Sequence, residues 1–350
     1  MSRKLRMGVV GLGMGRGHVK GYQTHPGAEV VALCDVNKER LEVGAAEFGI
    51  PETYTDARKM FGNGGLDAVS IAVPNKFHAP LTIEALANNL HVLCEKPMAM
   101  TVKEAERMNA AATKAGKNLM INFSFRFTEA SYALKQQVDS GVVGDIYFGR
   151  TVWHRRRGIP GFGGWFCDKA LSGGGPLIDL GVHRLDLALW LMGYPEPVAV
   201  SGSAYNVIAK EKATIEKKKF TVEDLACGLV KFANGATLIL EASWALNIGA
   251  REHMVTTLCG DKGGLVHKNI NEGYEFTAEL HTEENGNLFT KTLDARTTPV
   301  PSAYHEFVDS ILEKRPPMAT GEQGLKVMKI LEGIYKSAET GKEVRYRPAS

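Results

Sequence analysis

The chain has 350 residues, 44% of them hydrophobic and 23% charged, with a formal net charge of +3 at neutral pH. That is longer than one typical domain, and the composition is that of a globular protein. The basic residues are dispersed apart from Arg155-Arg156-Arg157 and Lys217-Lys218-Lys219, which argues against nucleic acid as a partner. No apolar run approaches the roughly 20 residues that span a bilayer, so no membrane partner is expected. The opening MSRKLRMGVV lacks the apolar core of an export signal. Five scattered cysteines, at 34, 94, 167, 227 and 259, form no CxxC pair. They fit reduced thiols in a cytoplasm better than a disulfide framework or a metal site.

Apolar runs at residues 5–10, 29–34, 67–73, 91–94 and 118–122 predict strands separated by helical segments. The clearest helix is TVKEAERMNAAATKAG, where Thr101 and Glu104 stand at capping-box spacing and Gly116 supplies a left-handed stop. Strands alternating with helices imply right-handed crossovers and a parallel, doubly wound sheet. The first strand opens into VVGLGMGRGHVKGY. Gly11, Gly13 and Gly15, with Met14 between them, let the backbone turn tightly and approach a pyrophosphate at the amide-rich start of the next helix. A strict GxGxxG would place its third glycine at 16, which is Arg16, so Gly15 or Gly17 must serve instead. Asp35 closes the second strand. A carboxylate there can accept both ribose hydroxyls of an adenosine and repel a 2′-phosphate, so NAD is the expected cofactor. Asn37, Lys38 and Arg40 nearby leave NADP open.

Open parallel sheets bind ligands beyond the carboxyl ends of their strands. The run at 67–73 leads to Pro74-Asn75, and the run at 91–94 leads to Glu95-Lys96-Pro97. Pro97 keeps Lys96 out of helical geometry and admits a cis bond. Both charges are expected to point at a ligand.

From about residue 145 the texture changes. A helix at 176–192 is followed by strand-like runs at 198–207, 226–232, 237–243 and 254–259, with the turn signal Asn234-Gly235 between two of them. This reads as a second, α+β domain, a mainly antiparallel sheet with helices on one face. In SGGGPLIDLGVHRLDLALWLMG, Asp179 and His183 are i,i+4 and Asp186 lies a turn further on. Burying such groups in an apolar helix requires partners. A structural Asp–His bond and a catalytic couple both satisfy that need. In the preceding WHRRRGIPGFGGWFCDKALSGGG, Trp165 offers an apolar platform, and Arg156 and Lys169 offer donors to a hydroxylated ligand. Strand alternation puts Trp153 and Arg155 on one face and His154 and Arg156 on the other.

DAVSIAVPNKFHAP, HVLCEKP and SGGGPLIDLGVHRLDL, with the ending HEFVDSILEKRPPMATGEQGLKVMKILEG, resemble in order and spacing the glucose–fructose oxidoreductase / inositol dehydrogenase (Gfo/Idh/MocA) family. The resemblance spans almost the whole chain. It implies an NAD(P)-binding Rossmann domain at 1–123 and, at 124–350, a substrate and oligomerisation domain, α+β with a large, mainly antiparallel open sheet. The last helix, near 324–340, is a candidate to pack back on the first domain. It also implies a homodimer or homotetramer and an enzyme that moves a hydride between a sugar, polyol or inositol-like alcohol and nicotinamide. By the same resemblance Lys96 contacts the reacting hydroxyl and the nicotinamide ribose, Asp179 orients substrate, and His183 is the acid/base. Pro74, Asn75 and Glu95 line the cofactor, and His78 either lines it too or serves the helix start; Arg126 in NFSFRF meets substrate, whereas Phe125 stands where arginine or tyrosine is common. Two other functions use the same residues: a redox-neutral glycosidase or lyase acting through a transient keto-sugar, and a non-catalytic NAD-binding regulator.

Overall fold

The computed structural model describes residues 3–63, 65–297 and 299–346. The chain divides into two compact units, Met1–Phe123 with Pro301–Met328, and Ser124–Val300 with Lys329–Ser350. No helix among the described residues is long and apolar enough to cross a membrane.

The first unit is built on six parallel strands: β1 (Leu5–Val10), β2 (Ala28–Cys34), β3 (Glu52–Tyr54), β4 (Ala68–Ile71), β5 (His91–Glu95) and β6 (Leu119–Asn122). Their order is β3-β2-β1-β4-β5-β6, a doubly wound sheet whose strand order reverses beside β1. Central strands such as β4 are buried at every position, as expected where helices cover both faces. The helix Val102–Ala115 starts where Thr101 accepts the Glu104 amide at 3.2 Å. It stops at Gly116, φ 62°. The helix Ala303–Leu312, distant in sequence, joins this unit by laying Tyr304 over Gly21, where a Cβ would stand 2.0 Å from the ring.

The glycine turn between β1 and the helix Gly15–Gln23 divides its tasks. Gly11 has φ +89°, and a Cβ there would lie 2.2 Å from the Ala72 carbonyl oxygen. A Cβ at Gly15 would meet Val9 at 2.8 Å, whereas Gly13 faces open space. Gly15 thus takes the close helix–strand packing that position 16 serves in the strict motif. Arg16 is left to pair with Glu47 on the outside.

The second unit carries nine strands: β7 (Ile146–Arg155), β8 (Pro197–Tyr205), β9 (Leu225–Phe232), β10 (Thr237–Ser243), β11 (Glu252–Gly260), β12 (Gly263–Asn269), β13 (Phe276–Glu284), β14 (Asn287–Leu293) and β15 (Val344–Arg345). The order is β14-β13-β12-β11-β7-β10-β9-β8-β15. Among the described residues of this sheet, only β7 and β10 pair in parallel. Asn234-Gly235 closes the β9–β10 hairpin with Gly235 at φ 86°. The sequence shows no clear apolar run for β12 to β14: β12 and β13 bury only alternate positions at their centres, and β14 is exposed almost throughout.

The segment expected as a helix over 176–192 begins differently. Leu177–Gly181 is a π-helical turn, and the α-helix proper is Val182–Leu191. The glycines before it fit a buried bracket. Glu223 accepts the Gly175 and Leu177 amides at 2.9 and 3.1 Å and the Tyr335 hydroxyl at 2.7 Å. A Cβ on Gly175 would lie 2.2 Å from the Glu223 carbonyl oxygen, and one on Gly174 would lie 2.1 Å from the Tyr335 hydroxyl. Burial holds the Glu223 carboxyl above its ordinary pKa, against these hydrogen bonds. Wide turns of this kind recur at functional sites.

Candidate active site

In the first unit the features gather at the carboxyl ends of β1, β2, β4 and β5. Asp35 is 4% exposed. One of its oxygens accepts the Leu12 amide of the glycine turn and the other accepts the Asn37 amide, at 2.8 and 2.9 Å. Arg40 also reaches it, at 3.3 Å. The carboxylate therefore shapes the turn as well as ending its strand. Met14 and Val36 are 70% and 87% exposed beside it, apolar surface at the ends of strands where a sheet of this order takes a nucleotide. Open space at Gly13, a turn folded against Ala72 and a carboxylate at the end of β2 fit a dinucleotide.

Within 92–99 only Glu95 and Lys96 are not buried, and the Lys96–Pro97 peptide is cis. Glu95 is turned inward. Its Oε1 is shared by His18 at 2.9 Å and the Asn122 amide at 2.6 Å, and its Oε2 accepts the Lys96 amide at 3.2 Å. The expectation that both charges aim at a ligand is corrected for Glu95, which braces the strand end. Burial alone would raise its pKa, but His18, Asn122 and the Lys96 charge outweigh burial and hold it below the ordinary glutamate value. The direct cofactor contact expected of His78 is also corrected. The residue is wholly buried, with its ring nitrogens 2.7 and 2.8 Å from the carbonyls of Pro97 and Val73. It ties the β5 loop to the β4 loop, which carries half-buried Pro74 and buried Asn75. His18, Asn122 and Tyr304, whose ring lies 4.8 Å from that of His18, have no signal in the sequence. They meet only through tertiary packing, Asn122 from the end of β6 and Tyr304 laid against the helix Gly15–Gln23.

The Glu95 carboxylate makes stability depend on pH. A carboxyl with a lowered folded pKa stabilises the fold above its unfolded value, and that contribution is lost as pH falls through the folded value. Glu95→Gln is expected to lower stability at neutral pH by about 1.5–3 kcal/mol, the range for hydrogen bonds to a charged group. It should also flatten the loss of stability below about pH 4.5. Chemical denaturation at pH 7 and across the acid range measures both. A Glu95→Gln variant with wild-type stability and acid sensitivity would contradict the assignment.

In the second unit, the run 174–191 is buried at every position except Asp179 and His183. Asp179 accepts the Trp244 indole N–H at 3.0 Å, and Trp244 is itself fully buried. His183 lies between two aromatic rings, Phe125 at 5.1 Å and Trp153 at 5.8 Å. Phe125, where the resemblance leads one to expect arginine or tyrosine, thus packs against the imidazole. Asp186 points elsewhere. It binds Arg126 through two bonds of 2.9 and 2.6 Å, and Tyr194 closes the group. Arg126 and Asp186 are 0% and 1% exposed, so the expectation that Arg126 meets substrate is corrected. Burial opposes the Arg126 cation, but the charge of Asp186 and the bonds that Arg126 donates to Asp186 and Tyr194 outweigh it and hold the guanidinium protonated.

The remaining expected substrate residues differ in exposure. Trp165 is half-buried and stacks on Phe166 at 3.9 Å, and Phe166 meets Trp244 edge-on at 6.5 Å. Arg156 and Lys169 are exposed. The sheet face toward His183 carries Trp153 and Arg155. Thr151, two residues earlier on that face, bonds the Arg184 carbonyl at 3.2 Å. Arg156 follows the last residue of β7 and binds the Arg251 carbonyl through its amide at 2.9 Å.

Comparison with known proteins matches two segments of the chain to family models. Residues 5–123 match a family model described as an oxidoreductase family with an NAD-binding Rossmann fold, and residues 132–266 match the GFO/IDH/MocA C-terminal domain. The D-glucoside 3-dehydrogenase of Escherichia coli (strain K12) is 35% identical over 98% of both chains. The D-apiose dehydrogenase of Paraburkholderia graminis is 28% identical, covering 99% of this chain and 90% of its own. The crystal structure of aldose-aldose oxidoreductase from Caulobacter crescentus complexed with glycerol superimposes with a TM-score of 0.83 at 28% identity, covering 98% of this chain and 100% of that one. Fold, glycine turn and matched domains together make the chain a member of the GFO/IDH/MocA family of oxidoreductases, built on an NAD-binding Rossmann fold.

Proposed function

We propose that this protein is an NAD-dependent dehydrogenase that oxidises a secondary alcohol of a sugar, polyol or inositol-like ring to the ketone. The observation that carries the reading is the opening of Asp179 and His183, and of no other position, in an otherwise buried segment. A helix that hides its other polar side chains has no structural use for leaving these two half-open. The activities named for the D-glucoside and D-apiose relatives support the substrate class.

The glycine turn at Gly11, Gly13, Met14 and Gly15 would hold the pyrophosphate and Asp35 the adenosine ribose, which favours NAD over NADP. Pro74, Asn75 and Lys96 would line the nicotinamide end, with Glu95 and His78 holding the two loops in place. NAD supplies the hydride acceptor when bound. Asp179, itself anchored by Trp244, orients the substrate hydroxyl. His183 takes the hydroxyl proton, as a neutral imidazole can near physiological pH. Lys96 hydrogen-bonds the oxygen on which negative charge develops. Trp165, through Phe166 and Trp244, supports the Asp179 side, and Arg156 and Lys169 supply donors at the rim.

The same reading takes the enzyme to be a cytoplasmic homodimer or homotetramer formed through the open sheet, where Phe148 and Leu229 are exposed. Light scattering on the purified protein reads that state. For the activity, methyl glucosides, free aldoses and inositols are offered with NAD and with NADP, and NADH or NADPH is followed by absorbance. Stoichiometric NADH from one of these classes is expected. A tightly held cofactor that returns to NAD in each cycle would indicate the redox-neutral reaction, and no reduction with any class would overturn the proposal.

A further inference from the structure

If the protein is the dehydrogenase proposed above, the second unit must also select which rings it accepts. The register of β7 against β11 sets Arg155 opposite Glu252 and Trp153 opposite Met254. On that face three donors converge on one carboxylate oxygen. Glu252 Oε1 accepts the Trp153 indole N–H at 2.7 Å, the Arg155 Nε–H at 2.8 Å and the Tyr274 hydroxyl at 3.0 Å. Arg155 Nη2 donates in turn to the Tyr274 oxygen at 2.6 Å. The second oxygen, Oε2, carries none of these bonds. The cluster is not sealed: the Glu252 and Arg155 side chains keep 13% and 18% of their surface and Tyr274 keeps 59%. It reaches His183 through the Trp153 ring.

An acid, a guanidinium and a phenol pinned together have no net charge. Nevertheless, they present an open carboxylate acceptor and a hydroxyl in fixed positions. We infer that Arg155, Glu252 and Tyr274 form a hydroxyl-recognition subsite for the part of the ring away from the reacting carbon, and that it admits neutral sugars while rejecting their carboxylated or phosphorylated counterparts. Glu252 Oε2 accepts a ring hydroxyl. An anionic substituent at the same place meets the Glu252 charge and finds the Arg155 guanidinium already committed. Selectivity thus comes from a repulsive element as much as an attractive one. The sequence does not bring these three residues together, because the cross-strand pairing that assembles them is non-local.

The test compares methyl β-D-glucoside with methyl β-D-glucuronide as substrates for the wild type, Glu252→Gln and Tyr274→Phe, following NADH. The wild type is expected to favour the glucoside in kcat/KM by at least about tenfold. Glu252→Gln keeps the size of the side chain, removes the charge and releases Arg155. Its kcat/KM for the glucoside should fall about 10- to 100-fold, mainly through KM, while that for the glucuronide rises, so that the preference narrows or inverts. Tyr274→Phe, at an exposed residue where folding is not at stake, should raise KM for the glucoside several-fold with little change in kcat. A Glu252→Gln enzyme that loses both substrates in the same proportion, or a Tyr274→Phe enzyme with unchanged KM, overturns the subsite and leaves the dehydrogenase reading standing. A wild type that reduces NAD with neither of these rings, nor with any of the aldoses and inositols offered above, overturns both.

Discussion

Lys96→Ala should retain NAD binding and lose turnover by about 10²–10⁴-fold, the usual worth of a positioned acid–base group. A buried strand of this chain ends in two opposite charges, Glu95 and Lys96, and the structure gives them different destinations. Glu95 is absorbed by His18, Asn122 and its own backbone neighbour. Lys96 stays half-buried at the strand end, the position where a sheet of this kind meets its ligand. His183→Ala should lose a similar factor. NAD affinity measured by fluorescence titration, with turnover measured in parallel, separates this from a cofactor defect. Turnover of either single variant near the wild-type level would refute its assignment.

The second large effect is on stability. Arg126→Met leaves Asp186 as a buried carboxylate without its counter-charge, and removing one partner of such a pair costs about 3–5 kcal/mol. In a unit of this size that corresponds to a fall in melting temperature of roughly 10 °C. The double variant Arg126→Met/Asp186→Leu should recover much of the loss, because apolar pairs often replace buried ion pairs at little cost. KM for the sugar should stay at the wild-type value in all folded variants, since Arg126 has no exposed surface. Calorimetry and a KM determination check the two halves. A raised KM at normal stability would restore Arg126 to the substrate site.

Arg126 and His183 show why legibility is uneven. Both stand out as functional polar residues in apolar surroundings, and nothing local distinguishes them. One is closed off by Asp186 and Tyr194, 60 and 68 residues away. The other is left half-open between Phe125 and Trp153. Asp186 and Asp179 part in the same way on a single helical segment. His78 is expected at the cofactor, but the paths of two loops turn it into a tie between them. In the glycine turn, by contrast, even the departure at Arg16 is readable, because Gly15 sits close enough to assume the packing duty.

The sequence alone determined what rests on spacing between near neighbours: a doubly wound first unit, the glycine turn, the Asp35 strand end and the cap of the helix Val102–Ala115. The tertiary structure decided what rests on distant partners: the π-turn held by Glu223, the adoption of Pro301–Met328 by the first unit, and which polar side chains are spent internally. The physical reason is one of range. Backbone dihedrals and periodicity are set within a few residues, whereas the cost of burying a charge depends on whatever the rest of the chain brings to meet it.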